Sequence, residues 1–207
     1  MIGESVAGQA VTQDAARRRG RRPVGEDARG AILAAAREEF AERGFEGTAI
    51  RGVARRAGVD ARLVHHYFDS KEDVFVAAFE LPYRPQDVLP RVLAGGPDGI
   101  GERLVRIFFS VWDTPVGSQR AVALLGAAMT SEQAARMLRE FLAREVLGRI
   151  AASLGTPDPE LRASLAASQM GGVILLRYVL RVEPLASAPV EDVVPLLAPT
   201  VQRYLAG

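Results

Sequence analysis

The chain of 207 residues contains no cysteine, two histidines and few aromatic residues. Without cysteine it can form no disulfide, no thiolate nucleophile and no cysteine-ligated metal centre. Its longest uncharged stretch, Ala163 to Leu176, has 14 residues, whereas a membrane-spanning helix needs roughly 20 apolar residues. The amino-terminal segment has no continuous apolar run ahead of its arginines, so we expect no secretory signal and a cytoplasmic protein.

Positive charge is concentrated in the first third of the chain, although the formal net charge is only +1. Five arginines lie between residues 17 and 22, and four arginines and one lysine face two acids between Thr48 and Lys71. A more acidic segment separates the two blocks. This distribution is typical of a nucleic-acid-binding surface. We expect residues 1–25 to form a disordered basic arm, which either contacts DNA or remains a solvated tail.

Apolar residues recur at spacings of three and four along most of the chain, and the alternation typical of strands is nearly absent. This periodicity predicts an all-α protein. The composition shifts after the segment 81–85, where arginines become rarer and longer apolar helices begin. We therefore place a small helical head at residues 26–84 and a larger helical domain at residues 85–207.

Glycines and capping residues predict the helix ends within the head. The first helix should cover residues 28–43 and stop at Gly44. Thr48 is placed to cap a second helix, and Asp60 is placed to cap a third helix of about seven residues. Ser70 then opens a fourth helix.

The second and third helices have the pattern of a helix-turn-helix unit, in which the second helix of the pair can enter the DNA major groove. Their turn is Ala57-Gly58-Val59. The outward face of the third helix carries side chains that can hydrogen-bond to bases or phosphates: Arg62, His65, His66 and Tyr67. Residues at helix starts and edges suit phosphate contacts: Thr48, Arg51, Arg55 and Lys71.

The adjacent histidines do not indicate a metal site or a catalytic centre. Neighbouring residues on a helix point about 100° apart, so His65 and His66 cannot hold one ion as a pair four residues apart can. No other histidine is present to act as a base, and neither a nucleophile elbow nor a phosphate-binding loop motif occurs. We expect no metal, no cofactor and no enzymatic activity.

The run from Arg29 to Phe79 resembles the DNA-binding domain of the TetR family of transcriptional regulators. The matching features are an apolar first helix with Phe40, followed by Gly44-Phe45, Thr48, Val53-Ala54, Ala57-Gly58-Val59, an aromatic cluster ending in Phe68, and Lys71-Glu72. The family often has Ser where Asp60 stands and Tyr where His65 stands. The resemblance implies DNA contacts at these positions: Thr48, Arg51, Ala61, Arg62, His65, His66, Tyr67 and Lys71.

The resemblance also implies a homodimer that binds double-stranded DNA at a palindromic operator. Its C-terminal domain would bind a small molecule and dimerise through its last two long helices. We therefore expect a ligand-responsive repressor that an effector releases from DNA. Two other functions remain open: a constitutive DNA-binding dimer without an effector, and a helical enzyme or carrier with no role on DNA.

Large side chains of the C-terminal domain could line a ligand cavity or form ordinary core. The candidates are Phe108, Trp112, Met129, Met137, Phe141, Gln169, Met170, Arg177 and Tyr178. Arg177 interrupts an apolar run, so it needs a partner if it is buried. Its stem could equally carry the charge out to solvent.

A pair of glycines inside a predicted helix, Gly171-Gly172, costs about 1 kcal/mol per residue relative to alanine. Close approach of another helix is one reason for such a pair, and it predicts a dimer seam nearby. The expected interface residues are Leu165, Gly172, Val173, Leu176, Leu197, Val201 and Tyr204. A ligand that contacts the Gly171 backbone is the alternative.

Overall fold

The computed structural model describes residues 26–207, which form helices and turns without a strand, so the predicted all-α fold is confirmed. The helices are α1 (Glu26–Gly47), α2 (Ile50–Ala57), α3 (Ala61–Tyr67), α4 (Lys71–Ala78), α5 (Pro85–Leu93), α6 (Ile100–Trp112), α7 (Pro115–Thr130), α8 (Glu132–Phe141), α9 (Gly148–Ser153), α10 (Pro159–Val173) and α11 (Val190–Ala206). A π-helical segment, Leu142–Leu147, joins α8 to α9, and another, Ile174–Val179, extends α10. Within the described range, no helix has the length and apolarity needed to cross a membrane. The basic arm predicted at residues 1–25 lies outside the described residues.

Local sequence signals set the ends of the short head helices. Gly44 interrupts α1 with a φ of 73°, a conformation that residues with a Cβ rarely adopt. The Asp60 carboxylate accepts a hydrogen bond from the backbone N–H of Arg62 at 2.7 Å and caps α3. The Ser70 hydroxyl accepts one from the N–H of Asp73 at 3.0 Å and caps α4. Both predicted caps therefore form.

The predicted capping role of Thr48 is wrong. Ala49 occupies the N-cap position of α2, and no side chain caps that helix. Thr48 is only 3% exposed, and its hydroxyl lies 2.8 Å from the carbonyl oxygen of Gly44 and 3.1 Å from that of Glu39. The side chain therefore stabilises the end of α1 from inside the head.

Two apolar cores organise the described chain. The head core lies between α1, α2, α3 and α4 and is built around Phe40, Phe45 and Phe75, whose rings contact one another edge-on or stacked. The body core gathers apolar residues from α5, α6, α9, α10 and α11, with Val105 and Phe109 of α6 near its centre. Helices α6 and α11 pack along each other.

Helix α8 lies between the body helices α7 and α9 in sequence but completes the head core. The Phe141 ring is 1% exposed, stacks on Phe75 with 4.6 Å between ring centroids and meets Phe45 edge-on at 5.4 Å. Met137 is buried in the same cluster. The expectation that Met137 and Phe141 line a ligand cavity is therefore wrong, because the apolar face of α8 that carries them packs against the head.

Polar contacts hold α8 on the end of α1. The Glu140 carboxylate accepts a hydrogen bond from the backbone N–H of Glu46 at 3.0 Å. It also occupies the space next to Gly44, where an added Cβ would lie 2.5–2.8 Å from the Glu140 oxygens. Arg144 forms an ion pair with the Glu46 side chain at 3.1 Å. Gly44 is thus required both for its backbone conformation and for the close approach of α8.

A second set of polar contacts joins α4 to the segment that follows it. Asp73 is buried on α4, and its Oδ1 lies 3.0 Å from Nε2 of Gln86 and 3.4 Å from Nη1 of Arg84. At the other end of α4, Glu80 forms an ion pair with Arg120 of α7. The position of α4 is therefore coupled to the body at both of its ends.

Candidate DNA-binding surface and ligand cavity

The outward face of α3 presents Arg62, His65 and His66, all exposed, while Val64 on the opposite side is fully buried in the head core. Ala61 at the first turn is half-buried and small, so it allows close approach of another molecule. Tyr67 is also half-buried, and its ring meets that of His66 edge-on at 5.2 Å. The arrangement is a short helix with hydrogen-bonding side chains on one solvent-exposed face.

Three arginines of this region keep their charge unpaired. Arg51, Arg55 and Arg62 are exposed and form no ion pair with any described residue. Arg56 differs, because the carboxylates of Glu42 and Glu38 accept hydrogen bonds from its guanidinium, and these contacts raise its pKa above the ordinary arginine value. The sequence pattern alone does not show that Arg56 is paired while the neighbouring arginines are not.

Lys71 lies at the start of α4 with its ammonium group turned toward α1. Its Nζ donates a hydrogen bond to the carbonyl oxygen of Phe45 at 2.9 Å and lies 4.5 Å from the centroid of the Phe45 ring. An ammonium group has three donor hydrogens, so two remain for another acceptor. Lys71 therefore holds α4 against α1 and can still contact an anion.

The Thr48 side chain cannot make the expected DNA contact, because its hydroxyl is buried and directed into the head. Replacing Thr48 with valine should lower the free energy of unfolding by about 1–3 kcal/mol, since the carbonyl groups of Glu39 and Gly44 lose the one hydroxyl hydrogen that they share. Urea denaturation measures this change. Thr130→Val is the matched control, because the Thr130 hydroxyl also contacts a carbonyl four residues earlier but is exposed to solvent. Equal losses in the two variants would contradict this role for Thr48.

A cavity of about 220 Å³ lies in the body between α5, α6, α10 and the π-helical segment after α8. Three of the residues expected at a ligand site line it: Phe108, Trp112 and Met170. Gly171 also lines it. The space where a Cβ would stand at Gly171 or Gly172 contains no described atom within 4 Å, so no helix of the same protomer approaches the glycine pair closely.

The remaining ligand candidates lie elsewhere. Met129 is 76% exposed on α7, and Gln169 is half-buried but does not line the cavity. Arg177 and Tyr178 are outside the cavity wall as well. The expectation that these four residues line the cavity is wrong, because Met129 on α7, Gln169 on α10 and the two residues on the π-helical extension are all absent from its wall.

Arg177 is buried and has the partner that its position in an apolar run requires. Its Nε and Nη2 donate hydrogen bonds to the Asp113 carboxylate at 2.9 and 3.2 Å, and its Nη1 donates to the carbonyl oxygens of Leu185 and Ala188. The bond to Asp113 raises the pKa of Arg177. Tyr178 donates to the same carboxylate at 3.0 Å, and burial followed by this bond raises its pKa. The cluster fixes the end of α6 against residues 180–189.

Several cavity residues come from segments that sequence reasoning does not single out. Tyr83 and Val88 belong to the segment after α4 and to α5, and Val146 belongs to the π-helical segment. Tyr83 lies between two prolines at the junction of head and body, and its ring meets Trp112 edge-on at 5.7 Å. An aromatic residue at a domain junction is a weak signal, because such residues are more often ordinary core.

An exposed leucine row runs along α10 and its π-helical extension. It includes the predicted interface residues Leu165 and Leu176, and also Leu161 and Leu180. Gly172, Leu197 and Tyr204 are half-buried. The expectation that Val173 and Val201 form the interface is wrong, because both side chains are buried in the body core of their own protomer.

Comparison with known proteins connects both halves of the chain to regulators. Residues 32–78 match the family model "Bacterial regulatory proteins, tetR family", and residues 98–205 match "Tetracyclin repressor-like, C-terminal domain". The transcriptional regulator BetI of Agrobacterium fabrum is 31% identical over 175 residues, which cover 79% of this chain and 84% of BetI. The regulator EthR of Mycobacterium tuberculosis is 30% identical over 60% of this chain, and the alignment spans 59% of EthR.

Two solved structures are also similar to this chain. A TetR-family regulator from Streptomyces coelicolor is 38% identical, with coverage of 90% of this chain and 98% of that chain and a TM-score of 0.47. A second regulator from the same organism is 21% identical, covers 87% of this chain and 99% of its own, and has a TM-score of 0.50. The second match concerns the fold alone.

Proposed function

Since the chain belongs to the TetR family of transcriptional regulators, we propose that it is a repressor that a small-molecule effector releases from a palindromic operator. The helix-turn-helix regulator function follows from the family. The operator symmetry, the effector site and the contact residues are the proposed part. That the chain has no enzymatic activity is proposed as well, on the ground that its relatives are regulators.

The exposed face of α3, with unpaired arginines around it, is the observation that carries the proposal. A helix of this kind fits the major groove, where side chains contact base edges while neighbouring cations contact phosphates. Arg62, His65 and His66 are free to reach bases. The proposed contacts are Arg51, Ala61, Arg62, His65, His66, Tyr67 and Lys71.

The arginine block at residues 17–22 lies outside the described residues, but its point of attachment supports a role on DNA. Arg29 near the start of α1 lies 5.6 Å from the centroid of the Phe68 ring, which follows the last turn of α3. The start of α1 therefore lies beside the recognition helix. We propose that the arginines of residues 17–22 contact phosphates or the minor groove.

A homodimer places two recognition helices on one face. They must be roughly 34–36 Å apart to enter successive major grooves of a palindromic site. The leucine row on α10 is the proposed seam, because its residues are apolar and exposed. Their spacing, four residues or a multiple of the helical repeat, places them on one face of the helix. Leu165, Gly172 and Leu176 lie at its centre, with Leu197 and Tyr204 beside it.

Replacing Leu176 with glutamate should convert the dimer to monomer, since each seam would then bury two carboxylates without partners. Sedimentation velocity at micromolar protein measures the change. Leu176 is 39% exposed, so the substitution costs the isolated protomer little.

Met129→Glu is the matched control, because Met129 is exposed on α7 and outside the proposed seam. We expect this variant to remain dimeric. If Met129→Glu becomes monomeric and Leu176→Glu does not, the seam lies on α7 and the proposed interface is incorrect.

An effector in the cavity would touch two elements that hold the head. The segment 83–88 forms part of the wall, and its Arg84 and Gln86 contact Asp73 of α4. The π-helical segment after α8 forms another part, and α8 itself supplies Phe141 to the head core. Effector binding can therefore shift α4 and α8 together. A tenfold to hundredfold release of DNA corresponds to about 1.4–2.8 kcal/mol of coupling.

The cavity also bears on the alternative of a constitutive DNA-binding dimer. A body core without a cavity would favour that alternative. A cavity next to the segments that contact the head instead favours a ligand-dependent regulator. A regulator that binds chromosomal DNA works where that DNA is, so we place this protein in the bacterial cytoplasm.

Selection of bound sequences from random duplex DNA tests the proposed function. We expect an enriched palindrome whose half-sites are about one helical turn apart. The arginine arm should be present in the protein used, because it is part of the proposed contact surface. Enrichment of single, unpaired half-sites or of no sequence would contradict a palindromic operator.

A further inference from the structure

We propose that the body cavity takes a small, neutral, mainly apolar effector with one oxygen function, such as a medium-chain alcohol or ketone, and that this oxygen binds the Tyr83 hydroxyl. The inference rests on the proposed function, since it names the class of effector for that site. It rests on the composition of the wall, on the protonated Tyr83 hydroxyl that has no hydrogen-bond partner, and on the size of the cavity.

None of the twenty residues that line the cavity is an aspartate, glutamate, lysine, arginine or histidine. Alkyl and aromatic groups make up nearly the whole wall, with Leu104, Ile107 and Ile150 as examples. Transfer of an unpaired carboxylate or ammonium group from water into such surroundings costs several kcal/mol. A neutral ligand avoids this cost, so the wall selects against charged molecules of the same length.

Two arginines that lie close in sequence to wall residues are already paired. Arg84, which follows Tyr83, contacts both oxygens of Asp87 at 2.7 and 3.0 Å. Arg177 donates two hydrogen bonds to the carboxylate of Asp113 at the C-terminal end of α6. Recruiting either arginine to a ligand carboxylate would break a two-point contact, so neither provides a counter-ion for a charged effector.

Tyr83 is the polar group that remains for a ligand. Burial raises the pKa of its hydroxyl to about 12, so the group is protonated at neutral pH and can donate a hydrogen bond. Among the described residues, none accepts or donates a hydrogen bond at this hydroxyl. The ring lines the cavity and is held edge-on against Trp112. A ligand oxygen at this point would give the unpaired hydroxyl an acceptor, which favours binding.

The cavity size limits the effector to a small molecule. Its volume of about 220 Å³ equals the share of roughly seven liquid water molecules, so the ligand has on the order of ten non-hydrogen atoms. Pockets for drug-sized ligands are usually larger, from roughly 300 Å³ upward. Chains much longer than octyl would need the body core to open.

Trp112 provides a direct measurement, because it is the single tryptophan of the chain and lines the cavity. The full-length protein is titrated at neutral pH with 1-octanol, octanoate, octylamine and propylbenzene while tryptophan fluorescence is recorded. We expect saturable changes with 1-octanol and propylbenzene. Octanoate and octylammonium should bind at least roughly 30-fold more weakly, because their charge is left unpaired. Equal or tighter binding of either ion, or no saturable change with any probe, would overturn the proposal.

Tyr83→Phe tests the polar contact, because it keeps the ring and removes only the hydroxyl. The affinity for 1-octanol should fall roughly three- to tenfold, the usual effect of one hydrogen bond, whereas that for propylbenzene should stay within about twofold. A parallel loss for both probes, or no loss for either, would show that Tyr83 does not bind the oxygen. Release of operator DNA is measured separately. Saturable binding of 1-octanol without DNA release would contradict the effector role and leave the ligand class intact.

Discussion

Replacing Arg62 with alanine is expected to weaken binding to the selected operator by roughly 30- to 10,000-fold. The Arg62 side chain is exposed on α3 and has no partner of opposite charge within the described residues. Loss of one base contact costs about 1–3 kcal/mol, and a dimer loses two such contacts. Fluorescence anisotropy with the operator and with an unrelated duplex measures the effect at constant salt concentration.

Arg91→Ala is the matched control, because Arg91 is an exposed arginine on α5 of the body. It removes the same charge from each protomer without touching α3, so operator affinity should change by less than about threefold. If both variants weaken binding equally, net charge rather than the α3 face determines affinity. If Arg62→Ala weakens both duplexes equally, Arg62 contacts phosphates and not bases.

Replacing Phe141 with alanine is expected to lower the free energy of unfolding by about 3–5 kcal/mol, as for other fully buried phenylalanines. The missing ring would leave a cavity beside Phe45 and Phe75 of the head, although Phe141 lies between body helices in sequence. DNA affinity should fall at the same time, because the removed contact supports α1 and α4. Denaturant unfolding and anisotropy measure the two effects.

Met129→Ala is the control for this second variant, because Met129 is an exposed apolar residue close to α8 in sequence. Its truncation should change stability by less than about 0.5 kcal/mol. A loss below about 1 kcal/mol for Phe141→Ala would show that the head core is complete without α8. The proposed route from cavity to head through α8 would then lose its main contact.

The helix ends of the head could be predicted from sequence because their signals are local. Gly44, Asp60 and Ser70 each act on backbone groups within a few residues, and the structure shows all three in the expected roles. Thr48 shows the limit of this reasoning. Threonine before a helix is a favoured cap, but in this case its hydroxyl bonds backward to the end of α1. The competing acceptors become visible only after α1 and α2 are packed.

The partners of the body helices could not be predicted from periodicity. A repeat of three and four shows that one face of α8 is apolar but not which neighbour covers it, so the sequence does not show that Met137 and Phe141 pack in the head core. Helices α10 and α11 carry apolar residues on more than one face. The sequence pattern therefore does not distinguish Val173 and Val201, which are buried, from the leucines that are exposed.

The cavity wall was partly predictable. Phe108, Trp112 and Met170 are large apolar residues on long helices, where a cavity in a helical body is expected. Tyr83 and Val146 come from a junction segment and a π-helical segment, whose paths are set by tertiary packing. Their place at the cavity follows from the fold alone.

In the proposed dimer, two recognition helices sit one helical turn apart, and an occupied cavity changes this distance. Because the chain has no cysteine, a single Asp69→Cys substitution allows one spin label per protomer beside α3. Double electron–electron resonance should give a label separation near one helical turn, roughly 34–36 Å, with operator DNA bound. Addition of 1-octanol should shift or broaden this distribution as DNA is released. Absence of dipolar coupling, or a distribution that 1-octanol leaves unchanged while DNA is released, would contradict the account.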